Sequence, residues 1–293
     1  MNITKKIKKT ILVSLLIIIS GAVSVLFSSV VSAENTNDHI INSCGLVIKE
    51  SGTYVLKNDL VCARSNMGED KENVIKVIAS NVVIDGRGHT ITGVSNEWQW
   101  SPTLTGIRLE GVSNVIVKNL NIKYLGAGIY MRNTRNSTIK NIKSSTMSEL
   151  SLYFSDRNKI IGNVFNNMGC CLGIYMWSSS HNLIELNTIK AVETTTIVVG
   201  SNYNRISKNK FIGSYGVSFS GCKGNRFMNN VLNMSYEAND NSHLNGKPIY
   251  CDRNSSLNFG CGNVSNSPKS MDCMLYNNNI TTDSCNTREK YPR

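Results

Sequence analysis

The 293-residue chain lacks the residue patterns that define metal centres and membrane-spanning bundles. Its nine cysteines include no C-x-x-C pair, which argues against a zinc site. After residue 33 no apolar run approaches the 18 or so residues of a transmembrane helix. We therefore expect no metal and no cofactor. The four histidines are scattered without metal-ligand spacing: His39, His89, His181 and His243.

The one long apolar run lies at the start of the chain. Four lysines precede an apolar segment over residues 11 to 31, and the segment ends in Val31, Ser32 and Ala33. This order is typical of a secretory signal peptide cleaved after Ala33. Because the run nearly spans a bilayer, retention as an N-terminal anchor is the alternative. Either way the body is expected outside the cytoplasm, secreted or at the cell surface, which argues against a nucleic-acid partner.

All nine cysteines follow the apolar segment, in the part where disulfides would persist. Two of them bracket a short N-terminal stretch and four crowd the C-terminal region, so we expect disulfides at both ends of the molecule. The candidates are Cys44, Cys62, Cys251, Cys261, Cys273 and Cys285. Because the number is odd, one cysteine either keeps a free thiol or pairs between chains, and the candidates are Cys170, Cys171 and Cys222.

A motif with asparagine at each end recurs about every 22 residues. Its copies are NVIVKN (114), NSTIKN (136), NKIIGN (158), NLIELN (182), NRISKN (204) and NRFMNN (225). A second motif keeps the same register, as in GIRLE (106), GIYMR (128), GIYMW (173) and GVSFS (216). Both alternate apolar with polar residues and are rich in isoleucine and valine, which is typical of short strands. Three short strands per period, without a helical segment, predict a parallel β-helix.

Stacked copies place equivalent residues above one another, about 4.8 Å apart. Asparagine tolerates left-handed backbone angles and can bond to the next rung, so it suits the corners. The first buried column is expected to contain Ile107, Ile129, Leu152, Ile174, Ile197 and Val217. The second is expected to contain Leu109, Met131, Phe154, Met176, Val199 and Phe219.

The fold class expected is therefore all-β: a right-handed parallel β-helix of about seven to nine rungs with disulfide-rich end caps. Capping is needed because the two ends of such a stack expose unpaired strand edges. We divide the chain into a signal or anchor (residues 1–33), an N-terminal cap with the first rung (34–80), the repeats (81–252) and an irregular, Cys-rich C-terminal cap (253–293).

The stretch NVVIDGRGHTITG (81 to 93), between SGTYVLKNDL and GIRLEGVSNVIVKNLNI, resembles the NosD-like right-handed β-helix family. That family belongs with the pectin-lyase-like carbohydrate-binding proteins and sugar hydrolases, and the likeness covers roughly residues 44 to 250. It implies a right-handed solenoid, an extracytoplasmic location and a glycan-related role. Some members are described as periplasmic copper-binding accessory proteins, but the spacing of the histidines does not support copper here.

No catalytic motif stands out, and we expect no catalytic residue. Asp85 and His89 are the nearest approach to an acid–base pair, but the turn-forming sequence IDGRGH favours a structural role. A glycosidase on this fold needs two or three converging carboxylates. The central rungs contain few acids and show no clustering: Glu110, Glu149, Asp156, Glu185 and Glu193.

An outward-facing stripe is the more distinctive feature. Tyr130, Tyr153 and Tyr175 are expected on successive rungs, where their rings could stack on sugars. Arginines beside them could bond hydroxyl or carboxylate groups. The alternative is that the stacked tyrosines stabilise the sheet and bind nothing. The residues predicted to bind substrate are Arg108, Glu110, Tyr130, Arg132, Tyr153, Tyr175 and Trp177.

These observations predict an exported β-helix protein that binds a polysaccharide or surface glycan along its aromatic face. Without the four signal lysines the chain has 27 basic and 20 acidic residues. This excess of positive charge would attract acidic glycans, so the predicted ligands include them. The alternatives are a polysaccharide lyase, epimerase or glycoside hydrolase acting on the same face, and a structural cell-surface protein without a small ligand.

Overall fold

The computed structural model describes residues 38–94, 101–167, 172–235, 248–267 and 279–280. Within these residues the regular secondary structure is β-strand, apart from a 3₁₀ turn at Arg64–Asn66. No helix in the described ranges is long and apolar enough to cross a bilayer. The predicted signal segment, residues 1–33, lies outside the described residues.

The first part of the chain forms twelve strands. They are β1 (His39–Ile41), β2 (Leu46–Ile48), β3 (Gly52–Leu56), β4 (Leu60–Cys62), β5 (Asn73–Val77), β6 (Val82–Asp85), β7 (Thr90–Gly93), β8 (Ser101–Glu110), β9 (Ile116–Lys123), β10 (Leu125–Arg132), β11 (Thr138–Ser145) and β12 (Ser148–Tyr153).

The remaining strands are mostly shorter. They are β13 (Lys159–Ile161), β14 (Val164–Asn166), β15 (Ile174–Trp177), β16 (Leu183–Glu185), β17 (Thr188–Lys190), β18 (Thr194–Val199), β19 (Arg205–Ser207), β20 (Lys210–Gly213), β21 (Tyr215–Ser220), β22 (Arg226–Met228), β23 (Val231–Met234), β24 (Ile249–Cys251), β25 (Phe259–Cys261), β26 (Val264–Ser265) and β27 (Asn279–Ile280).

These strands form two parallel sheets. The nine-stranded sheet takes one strand from each rung, in the order β2-β5-β8-β10-β12-β15-β18-β21-β24. The other strands form an eighteen-stranded sheet, to which most rungs contribute two strands, such as β16 and β17. β9 and β11 each cross the corner without a break. The predicted right-handed parallel β-helix, with three short strands per turn, is confirmed.

Two columns of inward-facing residues on the nine-stranded sheet build the core. The first is Ile75, Ile107, Ile129, Leu150, Ile174, Thr196, Val217 and Ile249. The second is Val77, Leu109, Met131, Leu152, Met176, Val198, Phe219 and Cys251. Every member is buried. Burial of apolar surface in continuous columns drives the stacking, because one rung alone encloses no core.

The predicted columns were wrong in the rung of β12. Leu150, rather than Leu152, is the partner of Ile129, so this rung is two residues shorter than expected. A shift of two residues keeps a side chain on the same face of a strand, and Leu152 is therefore buried in the second column. Phe154 instead falls beyond the end of β12 and is exposed, not buried.

A second error lies in the rung of β18. Thr196, rather than Ile197, is the partner of Ile174. A shift of one residue reverses the face of every side chain in a strand. Ile197 and Val199, predicted to be buried, accordingly face outward and are partly exposed, whereas Val198 is fully buried.

Buried asparagines form two ladders at the corners of the eighteen-stranded sheet, one directly before the first of the two strands of each rung and the other between those two strands. In one ladder the side-chain oxygen of Asn204 accepts hydrogen bonds from the backbone N–H (2.8 Å) and the amide Nδ2 (3.1 Å) of Asn182. The members are Asn158, Asn182, Asn204, Asn225 and Asn258, and the second ladder contains Asn163, Asn187, Asn209, Asn230 and Asn263. The predicted bonding of asparagine to the next rung is confirmed.

A disulfide closes the N-terminal end, where Cys44 is bonded to Cys62 as predicted. Cys251 and Cys261 each take part in a disulfide as well. Among the described cysteines, Cys222 has a free and buried thiol. The other cysteines of the prediction lie outside the described residues: Cys170, Cys171, Cys273 and Cys285.

Candidate functional site

The outer face of the nine-stranded sheet presents two columns of side chains that point away from the core. The first contains Arg108, Tyr130, Ser151 and Tyr175 on β8, β10, β12 and β15. The second contains Glu110, Arg132, Tyr153 and Trp177 on the same strands. All seven residues of the predicted site therefore lie on four successive rungs. The expected single file of tyrosines is wrong, because Ser151 occupies the place expected for Tyr153.

Tyr153 nevertheless contacts both other tyrosines across the two columns. Its ring centroid lies 5.1 Å from that of Tyr130, in a stacked arrangement, and 5.5 Å from that of Tyr175. The small side chain of Ser151 leaves room for this diagonal contact, because a serine does not fill the space between two rings. The three tyrosines are neighbours, as predicted, but they form a zigzag across two columns.

Trp177 completes this group of rings. Its centroid lies 6.3 Å from that of Tyr153 and 6.4 Å from that of Tyr175. Trp177 is 46% exposed, and the three tyrosines are partly exposed. We call the four rings of Tyr130, Tyr153, Tyr175 and Trp177 the aromatic surface. Its ring pairs are stacked, tilted or edge-on, at separations typical of aromatic pairs.

Charged groups border the aromatic surface at its N-terminal end. The guanidinium carbon of Arg108 lies 4.5 Å from the centroid of the Tyr130 ring, and Arg108 Nε donates to Glu110. Glu110 also lies 3.9 Å from Arg132 Nε. Arg108 is thus held by a carboxylate and a ring, whereas the side chain of Arg132 is half-exposed.

The phenol groups of Tyr153 and Tyr175 stay neutral at physiological pH. Burial raises the pKa of Tyr153, and the neighbouring phenols of Tyr130 and Tyr175 raise it further. Burial also raises the pKa of Tyr175. A neutral phenol both donates and accepts hydrogen bonds, so these hydroxyls can bind partners of either kind.

Phe154 is a surface residue that the sequence analysis placed in the core. It is 48% exposed, and its backbone has φ of 51°, in the left-handed region. Its backbone N–H donates to the carbonyl of Trp177 at 3.0 Å, which places it at the edge of the aromatic surface. The equivalent positions on the two preceding rungs hold Asn133 and Gly111, which tolerate left-handed angles. Glycine and asparagine at this position of the two preceding rungs were the sequence signal that Phe154 would have a left-handed backbone.

Asp85 and His89 do not meet. Asp85 accepts a hydrogen bond from the backbone N–H of Arg87 and pairs with Lys118 at 3.0 Å. His89 Nδ1 instead lies 3.1 Å from Asp59 Oδ1. Burial opposes ionisation of Asp85, but its hydrogen bonds prevail and lower the pKa of this carboxyl below its usual range. These contacts fit a turn-forming role.

The other acids of the central rungs are also dispersed. Glu149 is buried inside the core, and burial raises its pKa to about 7. Asp156 lies 3.9 Å from Arg135 in a turn, and Glu185 lies on the eighteen-stranded sheet, 3.5 Å from Lys208. The aromatic surface therefore has Glu110 as its one bordering carboxylate among the described residues.

The sequence profile of one family, described as "Periplasmic copper-binding protein (NosD)", matches residues 29–250, well over half of the chain. The chain belongs to the NosD family. No curated protein matches it. Copper does not fit the described part of this NosD family member, where no three histidine, cysteine, aspartate or glutamate side chains converge to hold a metal ion. His39 stacks on Tyr54 and His181 on Tyr203.

Among solved structures, the chain is similar to DFA-IIIase from Arthrobacter chlorophenolicus A6. In complex with GF2 that enzyme has a TM-score of 0.60 and 13% sequence identity, covering 77% of this chain and 74% of the enzyme. In complex with DFA-III the TM-score is 0.58 at 13% identity, with 81% and 74% covered. The Dettilon tailspike protein matches at 0.57 and 13%, covering 78% of this chain and 55% of the tailspike. At such identity these matches show a shared fold.

Proposed function

We propose that this NosD family member binds an extended polysaccharide outside the cytoplasm, with the aromatic surface as its binding site. The observation that carries the proposal is the contiguity of four partly exposed rings, Tyr130, Tyr153, Tyr175 and Trp177, on three successive rungs. The apolar faces of sugar rings stack on aromatic rings, and a row of rings about 4.8 Å apart per rung suits a polymer chain.

The polar groups around the rings have the chemistry that a sugar requires. The neutral hydroxyls of Tyr153 and Tyr175 can donate to and accept from sugar hydroxyls. The side chain of Arg132 is half-exposed, and its guanidinium would bind a carboxylate of an acidic sugar through paired hydrogen bonds. The site thus accommodates a neutral polymer by stacking and gains a charged contact with an acidic one.

The extracytoplasmic location is supported by two observations. The family is described as periplasmic, and the sequence begins with a basic and apolar segment typical of export. Two proteins with a similar fold are DFA-IIIase, solved in complexes with GF2 and DFA-III, and a tailspike protein. Both are compatible with the proposal that this fold provides a glycan-binding surface here.

Binding is favoured over hydrolysis because the site has a single carboxylate in the described structure. Hydrolysis by the usual mechanism needs two carboxyl groups on either side of the scissile bond. Glu110 interacts with Arg108 and lies near Arg132, so its oxygens face arginines and not an open reaction site.

The test is a glycan array that includes neutral and acidic polysaccharides, followed by affinity measurements on any ligand found. A Tyr153→Ala/Trp177→Ala double variant should lose at least about tenfold in affinity, equivalent to about 1.4 kcal/mol. Tyr203→Ala is the matched control, because Tyr203 is an exposed aromatic that stacks on His181 outside the aromatic surface. The control should bind as tightly as the wild type.

Two results would overturn the proposal. The first is a wild-type protein that binds no polysaccharide on the array. The second is a double variant that binds as tightly as Tyr203→Ala. Release of unsaturated or shortened sugars during incubation would instead establish the enzymatic alternative.

A further inference from the structure

The eighteen-stranded sheet presents a second distinctive surface, made of basic side chains. From β11 to β22 each of five successive rungs carries at least one lysine or arginine that points away from the core. The first three rungs hold Lys140, Lys143, Lys159 and Lys190. The next two hold Arg205, Lys208, Lys210 and Arg226. We call these eight residues the basic face.

Acidic side chains do little to balance this charge. On the strands of the basic face and on the turns between the two strands of each rung, within the described residues, Glu185 is the one carboxylate, whereas Asp156 and Glu193 lie in turns that join this sheet to the nine-stranded sheet. It lies 3.5 Å from Lys208 and 4.0 Å from Arg205. No carboxylate in the described part of the chain lies within 4.0 Å of the ammonium groups of five others: Lys140, Lys143, Lys159, Lys190 and Lys210.

The register places like charges close together. Arg205 and Arg226 are direct partners in neighbouring parallel strands. Lys208 and Lys210 follow within the same rung as Arg205. Like charges directly opposite each other in a sheet destabilise it, so this arrangement works against folding. A bound anion would remove that repulsion, which gives the face an electrostatic preference for anionic partners.

The layout of the charges fits a linear polymer. Five rungs span about 19 Å along the axis of the helix, at about 4.8 Å per rung. Between the basic residues lie partly exposed polar side chains, such as Thr138, Asn166 and Thr188, which can bond sugar hydroxyls. None of the outward residues described on these strands is aromatic. Aromatic residues are what stacks on the bases of a single-stranded nucleic acid or anchors a protein in a membrane interface.

We propose that the basic face binds a linear acidic polysaccharide, with uronate carboxylates paired to lysine and arginine on successive rungs. This site lies on a different sheet from the aromatic surface and does not depend on it. The protein would then carry two polysaccharide-binding surfaces, one that acts by stacking and one by charge. Binding to the basic face should weaken as salt is added, because salt screens exposed charges.

The experiment measures binding of the full-length chain to polygalacturonate at low and at physiological salt. A Lys140→Ser/Lys159→Ser/Lys210→Ser triple variant should lose at least about tenfold in affinity at low salt. The matched control is Lys49→Ser/Lys57→Ser/Lys223→Ser, which removes the same charge from exposed lysines elsewhere. The affinity of this control should fall by less than about twofold, because charges outside the basic face are screened from a ligand bound there.

Three outcomes would overturn the proposal. Equal losses in the triple variant and its control would show a non-specific effect of net charge. Binding to anionic lipid vesicles but not to polygalacturonate would assign the face to a membrane surface. Complete loss of polygalacturonate binding in Tyr153→Ala/Trp177→Ala would show that the aromatic surface alone binds the polymer. If that double variant keeps a salt-sensitive affinity, the basic face acts independently, whatever the array shows for the aromatic surface.

Discussion

The ring of Tyr153 stacks on the ring of Tyr130 with centroids 5.1 Å apart, although the strand partner of Tyr130 is Ser151. The contact crosses between two columns of outward side chains. It makes the aromatic surface two columns wide, so that Trp177 joins it beside Tyr175. The zigzag therefore makes this surface wider than a single file of tyrosines would be.

Phe154 has an unfavourable backbone and an exposed ring, so its replacement should separate stability from binding. Phe154→Asn introduces the residue found at the equivalent position of the preceding rung, Asn133. The variant should be more stable by about 1 kcal/mol, because asparagine tolerates the left-handed region. Its affinity for the glycan should fall, because an aromatic ring at the edge of the surface is lost. Urea unfolding and glycan titration measure the two effects.

Leu186 provides the matched control for Phe154. It is exposed and has a left-handed backbone, but it lies on the eighteen-stranded sheet away from the rings. Leu186→Asn should gain similar stability and leave glycan affinity on the aromatic surface unchanged. If Phe154→Asn leaves affinity unchanged as well, Phe154 has no part in binding.

Glu149 should make the protein less stable as the pH rises. Burial raises its pKa from 4.5 to about 7, so the folded state holds the proton more tightly than the unfolded state. The stabilisation is complete below about pH 4.5 and is lost as the pH rises through about 7. The loss amounts to about 3 kcal/mol. Urea unfolding at pH 4.5 and pH 7.5 should show the difference.

Glu149→Gln should abolish that part of the pH dependence. Glutamine can still accept the hydrogen bond that the backbone N–H of Thr146 donates to Glu149 Oε1 at 3.0 Å. It carries no titrating proton. Glu193→Gln, at an exposed position, should retain the wild-type dependence. Identical pH profiles for wild type and Glu149→Gln would contradict the assigned burial of the charge.

The inner asparagine ladders should contribute strongly to stability. Asn187 Nδ2 donates to the carbonyl of Ile160 and to Asn209 Oδ1, and Asn187 Oδ1 accepts from the backbone N–H of Asn163. Asn187→Leu leaves these buried groups without partners, so the free energy of unfolding should fall by about 4 kcal/mol. Asn166→Leu, which removes one long hydrogen bond on the outer face, should cost less than about 1 kcal/mol. Comparable losses in both variants would contradict the importance of the ladder.

The fold could be predicted because every rung of a β-helix repeats the same pattern of strands and corners. Alternation and a period of about 22 residues were enough to predict strands, corners and the core. The register could not be predicted throughout, because asparagine serves two roles here. Asn136 lies at an exposed left-handed corner, whereas Asn158 belongs to a buried ladder, and the strand partner of Asn158 is Ser137. Aligning the two asparagines therefore displaced the rung by one residue.

The composition of the site was easier to predict than its geometry. An error of two residues left Tyr153 facing outward, so it still joined the aromatic surface. The same error hid Phe154, because Leu150, Leu152 and Phe154 read as one alternating strand, whereas β12 ends at Tyr153. Strand ends depend on backbone angles that alternation does not encode. Glu149 occupies the position equivalent to Gly128 on the preceding rung, which further obscured where the strand begins.

Footprinting tests the central claim most directly. Hydroxyl radicals oxidise exposed aromatic side chains, and the rates at individual tyrosines and tryptophans can be read by mass spectrometry with and without saturating polysaccharide. The account predicts protection of Tyr130, Tyr153, Tyr175 and Trp177, with no change at the exposed Tyr203. Protection of Tyr203 alone, or unchanged rates at the four rings while the polysaccharide is bound, would contradict it.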